Sequence, residues 1–347
     1  ALPTFDAATE SGTLTVFDWQ GYEIKEFWGP YNDGQGKKVP LKFVFLEDDQ
    51  QALAKVKAGF AIDVAHPCIA YTRDWKDAGL IQPWDTSKIE NWDTVNPNLY
   101  DAGQIDGQSY AVPWDWGFSS LVIRTDRVDP KDFAGWEGIL NDKYKKRISI
   151  FSDGVAITKI GHLINKGADD PNKLDQAAID ASKETMLKAV KNIRNFWTSE
   201  SDAIKDFIAG NIDVCYAWPG TWYQIQQGLV KKGIDPATIQ YIQPTQGRLG
   251  WVCAYVLGKE TKLAGSAHSM MSTALSVPTM ANLINMYYYG AANGSAEVIA
   301  KVTDKSLVTA FGLDDPTSLD PPKVWKEAYL PNRVAYIKAA EEVKASL

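Results

Sequence analysis

The residues best placed to do chemistry in this chain are aromatic. Trp19 and Tyr22 follow the run Leu14-Thr15-Val16-Phe17, and Trp114 and Trp116 follow Tyr110-Ala111-Val112. Trp218 and Trp222 follow Ile212 to Tyr216, and Trp251 opens the run Val252 to Leu257. Rings that only fill a core belong inside strands and on helix faces. Rings gathered just after strands line a cleft, where they stack on apolar surface or hold a cation against their π faces. Packing between domains is the competing role for each. With 13 Trp, 15 Tyr and 12 Phe in the chain, some rings are expected on a binding surface.

Other chemistries lack their residues. His66, His162 and His268 stand apart from any nucleophile pattern, and no GxSxG occurs. Gly34-Gln35-Gly36-Lys37 lacks the GK[ST] spacing of a phosphate loop, and no strand run leads into GxGxxG, so no nucleotide cofactor is expected. Cys68, Cys215 and Cys253 are too few and too scattered for a zinc site or a disulfide framework; one bridge is possible and nothing requires it. Neither a metal nor any other cofactor is therefore expected. Asp18, Asp115 and Asp153 beside tryptophans would suit a glycoside-cleaving enzyme, which pairs two carboxylates with stacking rings. That enzyme is the alternative from a different functional class.

The chain of 347 residues suits two domains of ordinary size. Its net charge of -7 argues against a nucleic-acid partner, whose affinity is built from clustered Lys and Arg. The long stretch Ala264 to Ala296, which has no charged residues, is broken by polar residues and Pro278 well short of a membrane span. The start at Ala1-Leu2-Pro3-Thr4 fits an exported protein whose signal peptide has been removed.

The elements that must position the rings alternate. Leu14 to Phe17, a helix near Tyr22 to Trp28, Lys42 to Leu46, a helix over Asp48 to Ala58, and Asp63-Val64-Ala65 predict βαβ units and a mostly parallel sheet. Such sheets bind ligands at the carboxyl ends of their strands. A second set comprises Ser120 to Arg124, Arg147 to Phe151, a helix from Gly154 to Lys166, a long helix from Gln176 to Phe196, and the strand at Ile212. Asn332 to Leu347 reads as an amphipathic helix. No Pro/Gly/Ser linker divides the chain, as expected if strands cross between two lobes.

In this order the motifs resemble a known family. Asp18-Trp19-Gln20-Gly21-Tyr22, Ala54 to Gly59 with Asp63-Val64, and Ala78 to Pro83 with Asp85 are followed by Tyr110 to Gly117 and Trp136 to Leu140. Tyr144-Lys145, Gly210 to Asp213 and Ala217-Trp218-Pro219-Gly220 complete the series. Over nearly its whole length the chain is similar to the periplasmic spermidine/putrescine-binding proteins of ABC importers. The resemblance implies an α/β fold, the two-lobe periplasmic binding protein fold of type II, with each lobe a mostly parallel sheet flanked by helices and a hinge of crossing strands. It implies discontinuous lobes, 1–119 plus 253–297 and 120–252 plus 298–347. It further implies one small solute held between lobes and delivered to membrane permease subunits, a periplasmic monomer, and no catalysis.

The family's polyamine site combines rings that sandwich the methylene chain with carboxylates that pair with the ammonium ends. Trp19, Tyr22, Trp218, Trp251 and Tyr289 match the rings, with Trp114 or Trp116 expected near the wall and Cys68, Asp153 and Cys253 expected among the ligand-binding residues. The carboxylates are not matched: their positions hold Gly154, Ile157 and Cys253, with Asp153 or Asp115 as the possible substitutes. Burying an ammonium without a partner costs several kcal/mol. The expected solute is therefore a methylated onium zwitterion of the dimethylsulfoniopropionate or glycine betaine type, held in an aromatic cage. Three or four rings at roughly 0.5 to 2 kcal/mol each fall short of the ~8 kcal/mol that micromolar binding needs. A second anchor for the ligand's carboxylate is thus expected at His66, Lys159 or the amides opening the helix at Gly154. A polyamine is the alternative, and a short amino acid such as γ-aminobutyrate the third.

Overall fold

The computed structural model describes residues 2–315 and 317–347, which form a mixed α/β fold. Two compact units emerge: Ala1–Gly117 with Trp251–Ser318 and Glu327–Tyr329, and Phe118–Gly250 with Leu319–Lys326 and Leu330–Leu347. The chain passes from one to the other inside strands Ala111–Arg124 and Arg248–Gly258, and three more times between Ser318 and Leu330. Residues 298–318 belong to the first unit, where the sequence reading gave them to the second.

In the first unit strand Leu14–Trp19 lies between two parallel neighbours. Leu41–Leu46 pairs from Leu14↔Leu41 to Trp19↔Leu46, and Val64–Ala65 pairs through Val16↔Val64 and Phe17↔Ala65. Val64–Ala65 in turn pairs antiparallel with Arg248–Gly258 through Val256↔Ala65. The parallel register places Asp18-Trp19 and Ala65-His66 at one edge, so the residues following these strands must share it. Phe17, Phe27, Trp28, Trp75 and Tyr255 fill the interior behind it.

The second unit is built on Val214–Ala217, which runs antiparallel to the distal part of Ala111–Arg124 and parallel to Ile148–Phe151, itself parallel to Ile193–Trp197. Helices Gly154–Lys166, Gln176–Ala189 and Arg333–Lys344 pack together. Gly161 is required where two of them cross, since a Cβ there would lie 2.4 Å from the Ser182 carbonyl oxygen. Among the described residues no helix is long and apolar enough to cross a membrane.

Three expectations are corrected. Trp114 and Trp116 do not sit in a loop: Ala111–Arg124 is a single strand of 14 residues, buried throughout. Asp and Gly are poor strand formers, yet Gly117 is needed in this strand because the Trp251 ring occupies the space of its Cβ, 2.6 Å away. The long helix stops at Ala189, and Ile193–Trp197 is a strand. Buried Asn192 donates to the Ile139 carbonyl at 3.1 Å before that strand, and ladder pairing overrides the helical spacing. The first helix begins at Lys25 rather than Tyr22, which leaves Tyr22 on the loop.

Candidate functional site

The first unit gathers rings at the strand edge. Trp19, Tyr22, Trp251 and Tyr289 are all partly exposed. The Trp19 indole N–H donates to the His66 carbonyl at 2.8 Å, which fixes the ring against the neighbouring strand end. Tyr22 is met edge-on by Tyr287, Trp114 and His66 at 5.3, 5.2 and 5.5 Å. Gly21, with φ of +99°, gives the turn its shape, and its carbonyl accepts from the Tyr287 hydroxyl. Trp251 stands perpendicular to Tyr289 at 5.0 Å. Trp251 packs on Gly117, two residues along the strand from Asp115, to which Tyr22 is hydrogen-bonded, so the two pairs share that strand.

Behind these rings lies a buried charged group. The His66 Nδ1 is 2.7 Å from Asp18 Oδ1, and its Nε2 is 3.2 Å from Asp115 Oδ1, close but not aligned as a hydrogen bond. Tyr255 donates to Asp18 Oδ2 and Tyr22 to Asp115 Oδ2, each at 2.8 Å, and the Trp19 amide donates to Asp18 Oδ1 at 2.8 Å. Every neighbour therefore offers a proton to the carboxylates. Burial alone would lower the His66 pKa, but the charge of Asp18 and the contacts with both acids outweigh it and raise the pKa to about 9. Burial, followed by the charge of Asp115, holds the Tyr22 phenol well above its usual range.

Cys68 and Cys253 form a disulfide in the same unit, and Cys215 is a buried free thiol of the second. One position before Cys253, the Val252 amide donates to Glu327 Oε1 at 2.9 Å. Glu327 is thus a carboxylate beside the position where the resemblance expected one. It is 75 residues away in sequence, so only the long-range fold reveals it.

In the second unit Trp218 precedes helix Pro219–Val230 and packs edge-on against Phe151 and Trp197 at 5.0 and 5.1 Å. Its amide donates to Thr221 Oγ1, which donates to Glu200 Oε1 at 2.6 Å. Burial raises the Glu200 pKa. Asp153 caps helix Gly154–Lys166: its Oδ1 accepts from the amides of Val155 and Ala156 at 2.8 and 3.3 Å. Asp153 lies two residues beyond Phe151, against which Trp218 packs.

Several expected contacts are excluded by burial. Trp114 is fully buried with its N–H on the Ala274 carbonyl, and Trp116 is 4 % exposed with its N–H on Ala291, so both support the fold behind the rings. His66 faces two carboxylates and Lys159 Nζ lies 2.7 Å from Asn172 Oδ1, both side chains buried, so neither is available as an anchor for a ligand carboxylate. Asp115 is likewise buried and holds Tyr22.

The family described as bacterial extracellular solute-binding protein matches residues 31–310. The spermidine/putrescine-binding periplasmic protein of Salmonella typhimurium is 20% identical over 308 residues, covering 86% of this chain and 84% of its own length. The putrescine-binding periplasmic protein of Escherichia coli is 23% identical over 304 residues, covering 83% and 80%. A structure described as a putative spermidine/putrescine ABC transporter from Listeria monocytogenes superposes with a TM-score of 0.80 at 18% identity, over 96% of this chain and 99% of that one. The fold is that of the type II periplasmic binding proteins. The relatives are named as binding proteins, and the chain belongs to the bacterial extracellular solute-binding protein family.

Proposed function

We propose that this protein captures a small organic cation outside the cytoplasmic membrane and delivers it to the permease of an ABC importer, and that the cation is a polyamine of the putrescine or spermidine type. The observation that carries this reading is the group of partly exposed rings Trp19, Tyr22, Trp251 and Tyr289, with the Glu327 carboxylate one residue along the strand from Trp251. Ring faces attract a cation and cover its methylene chain. A carboxylate accepts the ammonium hydrogens, which water would otherwise satisfy. In the second unit Asp153 gives Oδ1 to its helix, and we assign its Oδ2 to an ammonium group. The names of the relatives support the same solute class.

A second reading is a methylated onium zwitterion held by ring faces alone. Gly154 and Ile157, where the resemblance expected acids, favour it. The burial of His66 and Lys159 weighs against it, because the ligand's carboxylate loses both expected anchors.

Isothermal titration of ligand-stripped protein against putrescine, spermidine, choline, glycine betaine, dimethylsulfoniopropionate and γ-aminobutyrate tests both. Tight binding of a diamine, weakened at least roughly tenfold by Trp251→Ala or Glu327→Gln, is the expected result. Tight binding of a betaine with no response to a diamine would replace the first reading with the second. We also assign Trp218 a share in binding, and unchanged affinity of Trp218→Ala would remove it.

A further inference from the structure

We infer that Asp18, His66 and Asp115 together form the counter-charge of the bound cation, a buried group with one net negative charge that acts through Tyr22 and Trp19 without touching the solute. The inference rests on the proposed capture of an organic cation and concerns how the first unit selects charge.

Both imidazole nitrogens of His66 face carboxylate oxygens, at 2.7 and 3.2 Å. A neutral ring would turn a lone pair toward one of them, so the arrangement calls for both nitrogens protonated. The raised pKa of His66 agrees. The hydroxyls of Tyr22 and Tyr255 and the amide of Trp19 all donate to the same carboxylates. Two carboxylates and one imidazolium leave a charge of about -1, surrounded by Trp114, Tyr255 and Phe27 rather than water. Charge in such surroundings is poorly screened by solvent or salt.

Tyr22 links this group to the surface. Its hydroxyl is 2.8 Å from Asp115 Oδ2, and its ring lies on the partly exposed edge. Trp19 is tied to the same group twice, by its amide to Asp18 and by its indole to the His66 carbonyl. A cation on these rings therefore meets the ring quadrupole and, behind it, a fixed negative charge. An anion or a neutral solute of equal shape gains only the ring contact. This arrangement keeps selectivity for positive charge while exposing no carboxylate of its own.

The groups that face His66 are Asp18 on strand Leu14–Trp19, Asp115 on strand Ala111–Arg124, Tyr255 on strand Arg248–Gly258 and Tyr22 on the loop. Asp18→Asn keeps an acceptor for the Trp19 amide and for His66 Nδ1 and removes one negative charge as long as His66 holds its proton; because the charge of Asp18 helps hold that proton, both proteins are titrated at pH 6 and the imidazole of the variant is followed by NMR as well. The substitution does not touch the bond between Tyr22 and Asp115.

The test titrates wild type and Asp18→Asn with putrescine and choline by tryptophan fluorescence, and follows the three histidines by NMR between pH 7 and 10 with and without the tighter-binding probe. The variant is expected to bind that probe roughly tenfold more weakly, the effect of one charge acting over about 10 Å at an effective dielectric of ~20. In the wild type the bound probe is expected to lower the His66 titration midpoint by about one unit, because coupling between the two sites is reciprocal. A variant that binds as tightly, or a His66 midpoint that ignores the probe, overturns this inference and leaves the proposed function standing. If the variant does not fold, the wild-type midpoint decides alone. Failure of the wild type to bind either cation overturns the proposed function and this inference with it.

Discussion

His66 is the residue whose environment departs furthest from that of the free side chain. It is fully buried between Asp18 and Asp115 and stacked on Tyr255 at 4.0 Å. Its folded-state pKa of about 9 lies above the unfolded value of 6.5, so folding takes up a proton. The stabilisation is complete below pH 6.5 and is lost as pH rises through about 9. Denaturant unfolding should show wild-type stability falling by about 1 to 2 kcal/mol between pH 7 and pH 8.5, below the range where Cys215 and the buried tyrosines, whose pKa values burial also raises, add their own loss. His66→Asn should be less stable at pH 7 and should lose most of that slope; an equal slope in both proteins would mean that His66 does not carry it. The sequence marks His66 as notable but misassigns it. Asp18, Asp115 and Tyr255 come from three different strands, and no local pattern signals that they converge on one imidazole.

At the scale of elements, the runs that alternate from Leu14 to Ala65 are legible because each strand and helix carries its own pattern and cap. Asp48 receives the Gln51 amide at 2.8 Å before helix Asp49–Lys57, and Asp153 does the same before Gly154–Lys166. Where tertiary contacts decide, the pattern misleads. Ala111–Arg124 stays one strand through Asp115 and Gly117 because of what Tyr22 and Trp251 require of those positions. Asp153 holds two roles that substitution can separate. Asp153→Ala loses the cap and should cost about 1 kcal/mol of stability, whereas Asp153→Asn keeps an acceptor oxygen and should stay within about 0.5 kcal/mol. If Oδ2 receives an ammonium, Asp153→Asn should still weaken putrescine binding several-fold. An Asn variant with native stability and native affinity would confine Asp153 to its helix.

At the scale of the molecule, the disulfide is the element that sequence least foretells. Cys68 and Cys253 are 185 residues apart, and both lie in the first unit, while Phe118–Gly250 falls wholly within the loop they close. The bridge suits the oxidising compartment in which the relatives work, since such bonds persist outside the cytoplasm. Closing so long a loop restricts the unfolded chain more than a short one would, by up to about 5 kcal/mol in the chain-entropy account and typically 2 to 4. The double variant Cys68→Ser with Cys253→Ser should therefore unfold at lower denaturant concentration, with a loss of roughly 2 to 4 kcal/mol at unchanged pH. A reducing agent should reproduce the shift in wild type and leave the variant unaffected. Solute affinity offers an independent reading of the same pair, because Cys253 lies two residues beyond Trp251 and Cys68 two beyond His66. If the bridge holds these two segments in place for binding, the variant should also bind putrescine several-fold more weakly at temperatures where it is fully folded. A variant that loses stability but keeps full affinity would limit the disulfide to restraining the unfolded chain, and the rings would then owe their positions to the hydrogen bonds of Trp19, Tyr22 and Gly21 alone.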